Sequence, residues 1–227
     1  MELLFKKKKP FLVVFLVVLF VDIIFTNIDY LYEYRYATKP WIVITLAIHF
    51  YYNCLHLSQE ERLLVFLALA FSLVADFILI TDNLTFLIVG MSMFILAKIC
   101  YAILFSFKAR FDIDRLLPFL AVVLMYCLFI MYYLYEGVGD LFVAVVVYIF
   151  VTLIVAKMAY LRYNMVNKKS YYFVLAGAVL FMISETIMAF YNFYIPLPYT
   201  YTLVVLTYGL SQFFTIRGII LQNEKVL

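Results

Sequence analysis

From residue 11 onward the chain is a series of long apolar runs, with only short polar breaks between them. A helix that crosses a bilayer needs ~17–25 mostly apolar residues. Eight segments meet or approach that length: roughly 11–27, 39–55, 62–80, 86–107, 117–135, 140–161, 171–192 and 198–220. The runs are continuous rather than short alternating stretches, which predicts helices and not the strands of a barrel. Hydrophobic residues make up 68% of the 227, against ~45–50% in soluble domains, so an ordinary water-soluble domain is excluded. With six Gly, five Pro and no polar linker, residues 1–227 are expected to form one integral membrane domain, an all-α polytopic transmembrane bundle.

Charge placement sets the expected orientation. Lys6 to Lys9 precede the first run, and Arg62, Lys108, Arg110, Arg115, Arg162, Lys168, Lys169 and Lys225 fall at every second break or end. Arg35 and Lys39 sit at the edges of the opposite segments, and the turns at 81–85, 136–140 and 193–197 hold no Lys or Arg. Basic residues accumulate on the cytoplasmic side, so eight spans with both termini cytoplasmic are predicted. The basic block followed by an apolar run also looks like a secretion signal. It has no small-x-small cleavage site and leads into further runs, so it reads as a retained first helix. Trp41 suits the outer interfacial belt.

Few residues inside the runs carry chemistry. Cys54, Cys100 and Cys127 are odd in number and lack a CxxC spacing, so they read as small hydrophobes. His49, Asn53 and His56 make a polar seam, but two histidines without a third ligand are a poor zinc site. No metal, cofactor or nucleic-acid partner is expected. Ionisable groups within a span are costly and face the bundle interior. Asp22, Asp76, Lys98 and Glu185 are the ones that need explaining. Asp76 and Lys98 lie on runs joined by a short turn, hence on antiparallel neighbours. At 1.5 Å per residue Asp76 lies ~6 Å and Lys98 ~18 Å from the outer helix ends, with Glu185 near ~10 Å. Similar depths let Asp76 and Glu185 border one cavity. Tyr208 and Gln212 share a face of the last run, one turn apart.

Five short motifs order these residues: Lys39-Pro40; Ser72-x-x-Ala75-Asp76-x-x-Leu79; Gly90-x-x-x-Phe94-x-x-Ala97-Lys98-x-x-Tyr101; Gly177-Ala178-x-x-Phe181-x-x-Ser184-Glu185; and Thr207-Tyr208-x-x-Ser211-Gln212. The set, spread over residues 39–217, resembles the YhhN family of multi-pass membrane proteins, which includes lysoplasmalogenases. Three positions depart from the family pattern. Its Gly-Asp is Ala75-Asp76, its Ser-Asp is Ser184-Glu185, and its histidine on the fourth run is Lys98.

The resemblance implies cleavage of the vinyl-ether bond of a lysoplasmalogen to a fatty aldehyde and a glycerophospho-headgroup, with a lysophospholipid and the bilayer as partners. Such ethers hydrolyse by protonation at carbon and capture of an oxocarbenium ion by water. That chemistry needs a protonated acid and an anionic stabiliser, which two carboxyls in different surroundings supply. Asp76 and Glu185 are the catalytic candidates. Asp22, Lys39, Lys98, Tyr101, Ser184, Tyr208 and Gln212 are expected to bind substrate or tune the carboxyls. Two other readings stay open: a proton-coupled or small-solute transporter, and a buried ion network that only fixes helix packing.

Overall fold

The computed structural model describes residues 5–81, 83–195 and 197–222, the side chain of Lys8 excepted. Lys225, counted above among the basic residues, and Asp82 and Pro196 in two of the turns lie outside the described residues. Among the described residues eight long helices carry the fold. They are α1 (Lys8–Asn27), α2 (Pro40–Asn53), α3 (Gln59–Ile78), α4 (Leu84–Ser106), α5 (Ile113–Val138), α6 (Phe142–Leu161), α7 (Lys168–Phe193) and α8 (Thr200–Leu221). A 3-10 turn (Asp29–Tyr34) and one helical turn (Arg35–Thr38) join α1 to α2. No strand occurs among the described residues.

The helix ends follow local chemistry. Ser58 and Glu61 form a reciprocal capping box at the start of α3, meeting donors that the first turn leaves unpaired. Asn83, Asp112 and Asn167 cap α4, α5 and α7 through their side-chain oxygens. Pro40 stands at the first turn of α2, where its missing N–H costs nothing. Gly139, at φ +49°, ends α5 and turns the chain into α6; a side chain there would be strained.

Burial is one-sided. On α1, Phe11, Phe15, Leu19 and Asp22 are buried, while Leu12, Val13, Leu16, Val17 and Phe20 lie exposed on the other face. Similar apolar exposure runs along α5, where Ile130, Leu134 and Val138 alone are buried. So much contiguous apolar surface would aggregate in water, whereas lipid tails accept it. Helices α7 and α8 are packed backbone to backbone. A Cβ on Gly177 would stand 3.0 Å from the Ser211 carbonyl oxygen, and one on Gly218 would stand 3.0 Å from that of Ser170. Ser211 Oγ donates to Gly177 O and Ser170 Oγ to Gly218 O, each at 2.7 Å. Small residues at a helix seam that also hydrogen-bond across it are the means by which helices associate in lipid.

Among the described residues five segments are long and apolar enough to cross a membrane: Lys9–Asn27, Leu84–Ser106, Ile113–Leu161, Lys168–Phe193 and Thr200–Leu221. The third of these contains both α5 and α6. Helices α2 and α3 do not meet that measure. The first has 14 residues, about 21 Å of rise, and the second carries Glu60, Glu61, Arg62 and Asp76. Both described chain ends lie at one end of the bundle. There the Phe5 carbonyl meets His49 and Asn53 at the end of α2, and Gln222 donates to Glu61 at the start of α3. At the opposite end Tyr36 bonds Thr81 and Thr202 bonds Asn27.

Candidate active site

At that opposite end a cavity of about 150 Å³ opens between helices α1 to α8. Asp22, Lys39, Asp76, Ser184, Glu185 and Tyr208, all singled out in the sequence, line it. The rest of its wall is largely apolar, with Leu79, Met91, Phe94, Ile130 and Phe181 among the contributors.

Glu185 is the more fully held of the two carboxylates. Lys98 Nζ lies 2.5 Å from its Oε1, Tyr148 O–H donates to the same oxygen, and Thr152 Oγ1 donates to Oε2 at 2.9 Å. Lys98 in turn donates to Thr152 Oγ1 at 2.5 Å and stands 3.3 Å from the centre of the Tyr148 ring. Asp76 is held on one side only. Tyr208 O–H donates to its Oδ2 at 2.7 Å. Its Oδ1 is buried with no hydrogen bond, and Lys39 Nζ stands 3.5 Å away.

The two charges of the hairpin find separate partners, in line with their different depths along the runs. Asp76 and Lys98 sit on neighbouring helices but are not partners: Asp76 goes with Lys39, Lys98 with Glu185. Asp76 lies two residues before the end of α3 and Lys98 fourteen residues into α4, so they differ in depth by about 18 Å. Two of the three departures from the family pattern, Lys98 and Glu185, therefore meet each other. Arg35, at the edge of a segment in the sequence, is 3% exposed and pairs with Asp22 at 3.5 Å. Three carboxylates, Asp22, Asp76 and Glu185, then face three cations, Arg35, Lys39 and Lys98.

Tyr101 and Gln212 are near the site but not on its wall. Tyr101 O–H donates to Gln212 Oε1 at 3.3 Å, and Gln212 Nε2 reaches Ser72 Oγ at 3.3 Å and Tyr208 O–H at 3.4 Å. They border a smaller space of about 30 Å³, together with Lys98 and Thr152. Tyr101 and Gln212 thus back the Tyr208 hydroxyl that holds Asp76. Ser184 donates to the Val204 carbonyl at 3.2 Å and helps fix α7 on α8. Sequence reasoning missed Tyr148 and Thr152. The available signal was their spacing, one turn apart on one face of an otherwise apolar helix. His49 and Asn53 serve to tie down the Phe5 carbonyl. No cluster of three His, Cys, Asp or Glu able to hold a metal occurs among the described residues.

A family model described as the YhhN family matches residues 34–219, which is most of the chain. Comparison with curated proteins and with solved structures finds no match. The chain belongs to the YhhN family.

Proposed function

We propose that this member of the YhhN family is a membrane-embedded hydrolase that cleaves the vinyl-ether bond of lysoplasmalogens. One observation carries the reading: Asp76 and Glu185 border a single, mostly apolar cavity in different surroundings. Glu185, with a cation and two hydroxyl donors on it, is suited to stay ionised and face a developing positive charge. Asp76 has its cation farther off, Lys39 at 3.5 Å, and no hydrogen bond on Oδ1, so it is the carboxyl of the two better suited to carry a proton.

In the reaction, Asp76 gives that proton to the outer vinyl carbon. The electron pair of the double bond forms the new C–H bond, and the ether oxygen stabilises the resulting cation, with Glu185 opposite. Water attacks the cationic carbon and returns a proton to Asp76. The hemiacetal then collapses: its hydroxyl loses a proton as the C=O bond forms, the C–O bond to glycerol breaks, and the glycerol oxygen takes up a proton, yielding the fatty aldehyde and the glycerol hydroxyl. One water is consumed and the carboxyl is regenerated. Tyr208, backed by Gln212 and Tyr101, positions Asp76. Lys98, Thr152 and Tyr148 position Glu185.

The proposal includes eight spans with both termini cytoplasmic. Helices α2 and α3, individually too short or too charged, then cross with their polar residues turned inward. Orientation follows from the basic residues at one set of breaks. The matched ion pairs favour a second reading, a network that only fixes packing. Purified protein in detergent decides between them. It is expected to release aldehyde from a lysoplasmenyl lipid with no gradient present, and a well-folded preparation that releases none would exclude the hydrolase. It would leave the packing network or a transporter.

A further inference from the structure

The mechanism uses the two carboxyls and leaves the cationic end of the cavity without a task. Arg35 lies on the helical turn that leads into α2 and is 3% exposed. Its Nη2 reaches Asp22 Oδ2 at 3.5 Å, the long limit of a hydrogen bond. Its Nε is buried and has no hydrogen-bond partner. Asp22 does not depend on it, because Thr38 Oγ1 donates to the other carboxylate oxygen at 2.6 Å. A guanidinium carries five N–H donors in a planar fork, and an unmet buried donor costs free energy. The Tyr32 ring, 5.2 Å from the guanidinium carbon, holds the group at the cavity wall.

Lys39 follows one helical turn later, its N–H donating to Arg35 O at 3.0 Å. Side chains so spaced share a face, with Cβ atoms ~5–6 Å apart. The cavity therefore has two adjacent cations at one end, and the nearer of them touches Asp76.

We infer that Arg35, with Lys39 beside it, is the seat for the phosphate of a lysophospholipid headgroup, an assignment that rests on reading the cavity as a vinyl-ether lipid site. The planar fork suits two phosphate oxygens at once. The three carbons of glycerol separate the phosphate from the vinyl-ether oxygen, and one helical turn separates Arg35 from the lysine on Asp76, so both ends of the substrate are met together. Charge agrees as well. A phosphodiester adds one negative charge to three cations and three carboxylates, and the sum balances again when Asp76 holds the proton that the first step consumes.

The test uses the purified full chain in a maltoside detergent and a ligand that cannot be cleaved. The ligand is a saturated 1-alkyl glycerophosphocholine, compared with the 1-alkylglycerol of the same chain length and with inorganic phosphate. Wild-type protein is expected to bind the phospholipid roughly ten- to hundredfold more tightly than the alkylglycerol, and inorganic phosphate is expected not to displace it. Arg35→Gln is expected to erase that margin while leaving alkylglycerol binding unchanged. Arg35→Lys, which keeps the charge but not the fork, is expected to retain part of it. An unchanged margin in Arg35→Gln, no margin in the wild type, or displacement by inorganic phosphate would each overturn the assignment. None of these readouts needs turnover. Arg35-dependent binding without aldehyde release from a lysoplasmenyl lipid would sink the hydrolase and leave the phosphate seat standing.

Discussion

Removing either member of the Lys98–Glu185 pair is expected to unfold this protein far more readily than removing both. The two charges are 2.5 Å apart, with side chains 5% and 16% exposed. Thr152, Tyr148 and Phe181 enclose the ammonium, so water is kept from replacing a missing carboxylate. Truncating one partner of such a buried pair costs about 3–5 kcal/mol, because the other charge is left uncompensated. Replacing both by uncharged groups of similar volume is often close to neutral. A chain of this size shifts its Tm by roughly 2–4 °C per kcal/mol. Lys98→Met and Glu185→Gln are thus each expected to lower Tm by about 6–20 °C, and the double mutant to lie within a few degrees of the wild type. The assay follows heating in detergent with a thiol-reactive dye, since Cys54 and Cys100 are buried and become reactive as the bundle opens. A double-mutant cycle reads the coupling directly. Additive losses, with the double mutant as low as the two singles summed, would refute the pairing.

Asp76→Asn is expected to keep the fold and reduce aldehyde release by ~10²–10⁴-fold, the usual weight of a positioned acid; near-normal release from a folded variant would remove Asp76 from the mechanism. Lys98→His with Glu185→Asp restores the family pattern at both positions and is expected to release more aldehyde than Lys98→His alone, measured side by side at equal folded protein. Gly177→Leu pushes a side chain into the backbone of α8, where even a Cβ would meet Ser211 O at 3.0 Å; overpacking of this kind costs about 1–3 kcal/mol, read as a lowered Tm with no such change for the exposed Val179→Leu. Reporter fusions in the turns at Asn83, Val138 and Leu197 are expected to read outside the cytoplasm, and two inside readings would break the eight-span topology.

The sequence by itself determined the helices. Each of the eight apolar runs corresponds to a helix whose ends lie within a few residues of the run, such as 171–192 against Lys168–Phe193. The reason is the solvent: a backbone in lipid has to satisfy its own hydrogen bonds, so the length and polarity of a run leave little freedom. The sequence also marked Asp76, Glu185 and Asp22, because an ionisable group within such a run has to face inward, while Lys39 and Tyr208 were marked by the family motifs they belong to. Partner choice was decided only in three dimensions. Lys98 adjoins Asp76 by hairpin yet bonds Glu185, since depth along the bundle, and not order along the chain, brings side chains together. Nothing in the sequence joined Arg35 to Asp22; the turn Arg35–Thr38 folds it there. Tyr148 and Thr152 carried no charge to betray them, and only the packing of α6 between α4 and α7 turned their hydroxyls onto Glu185.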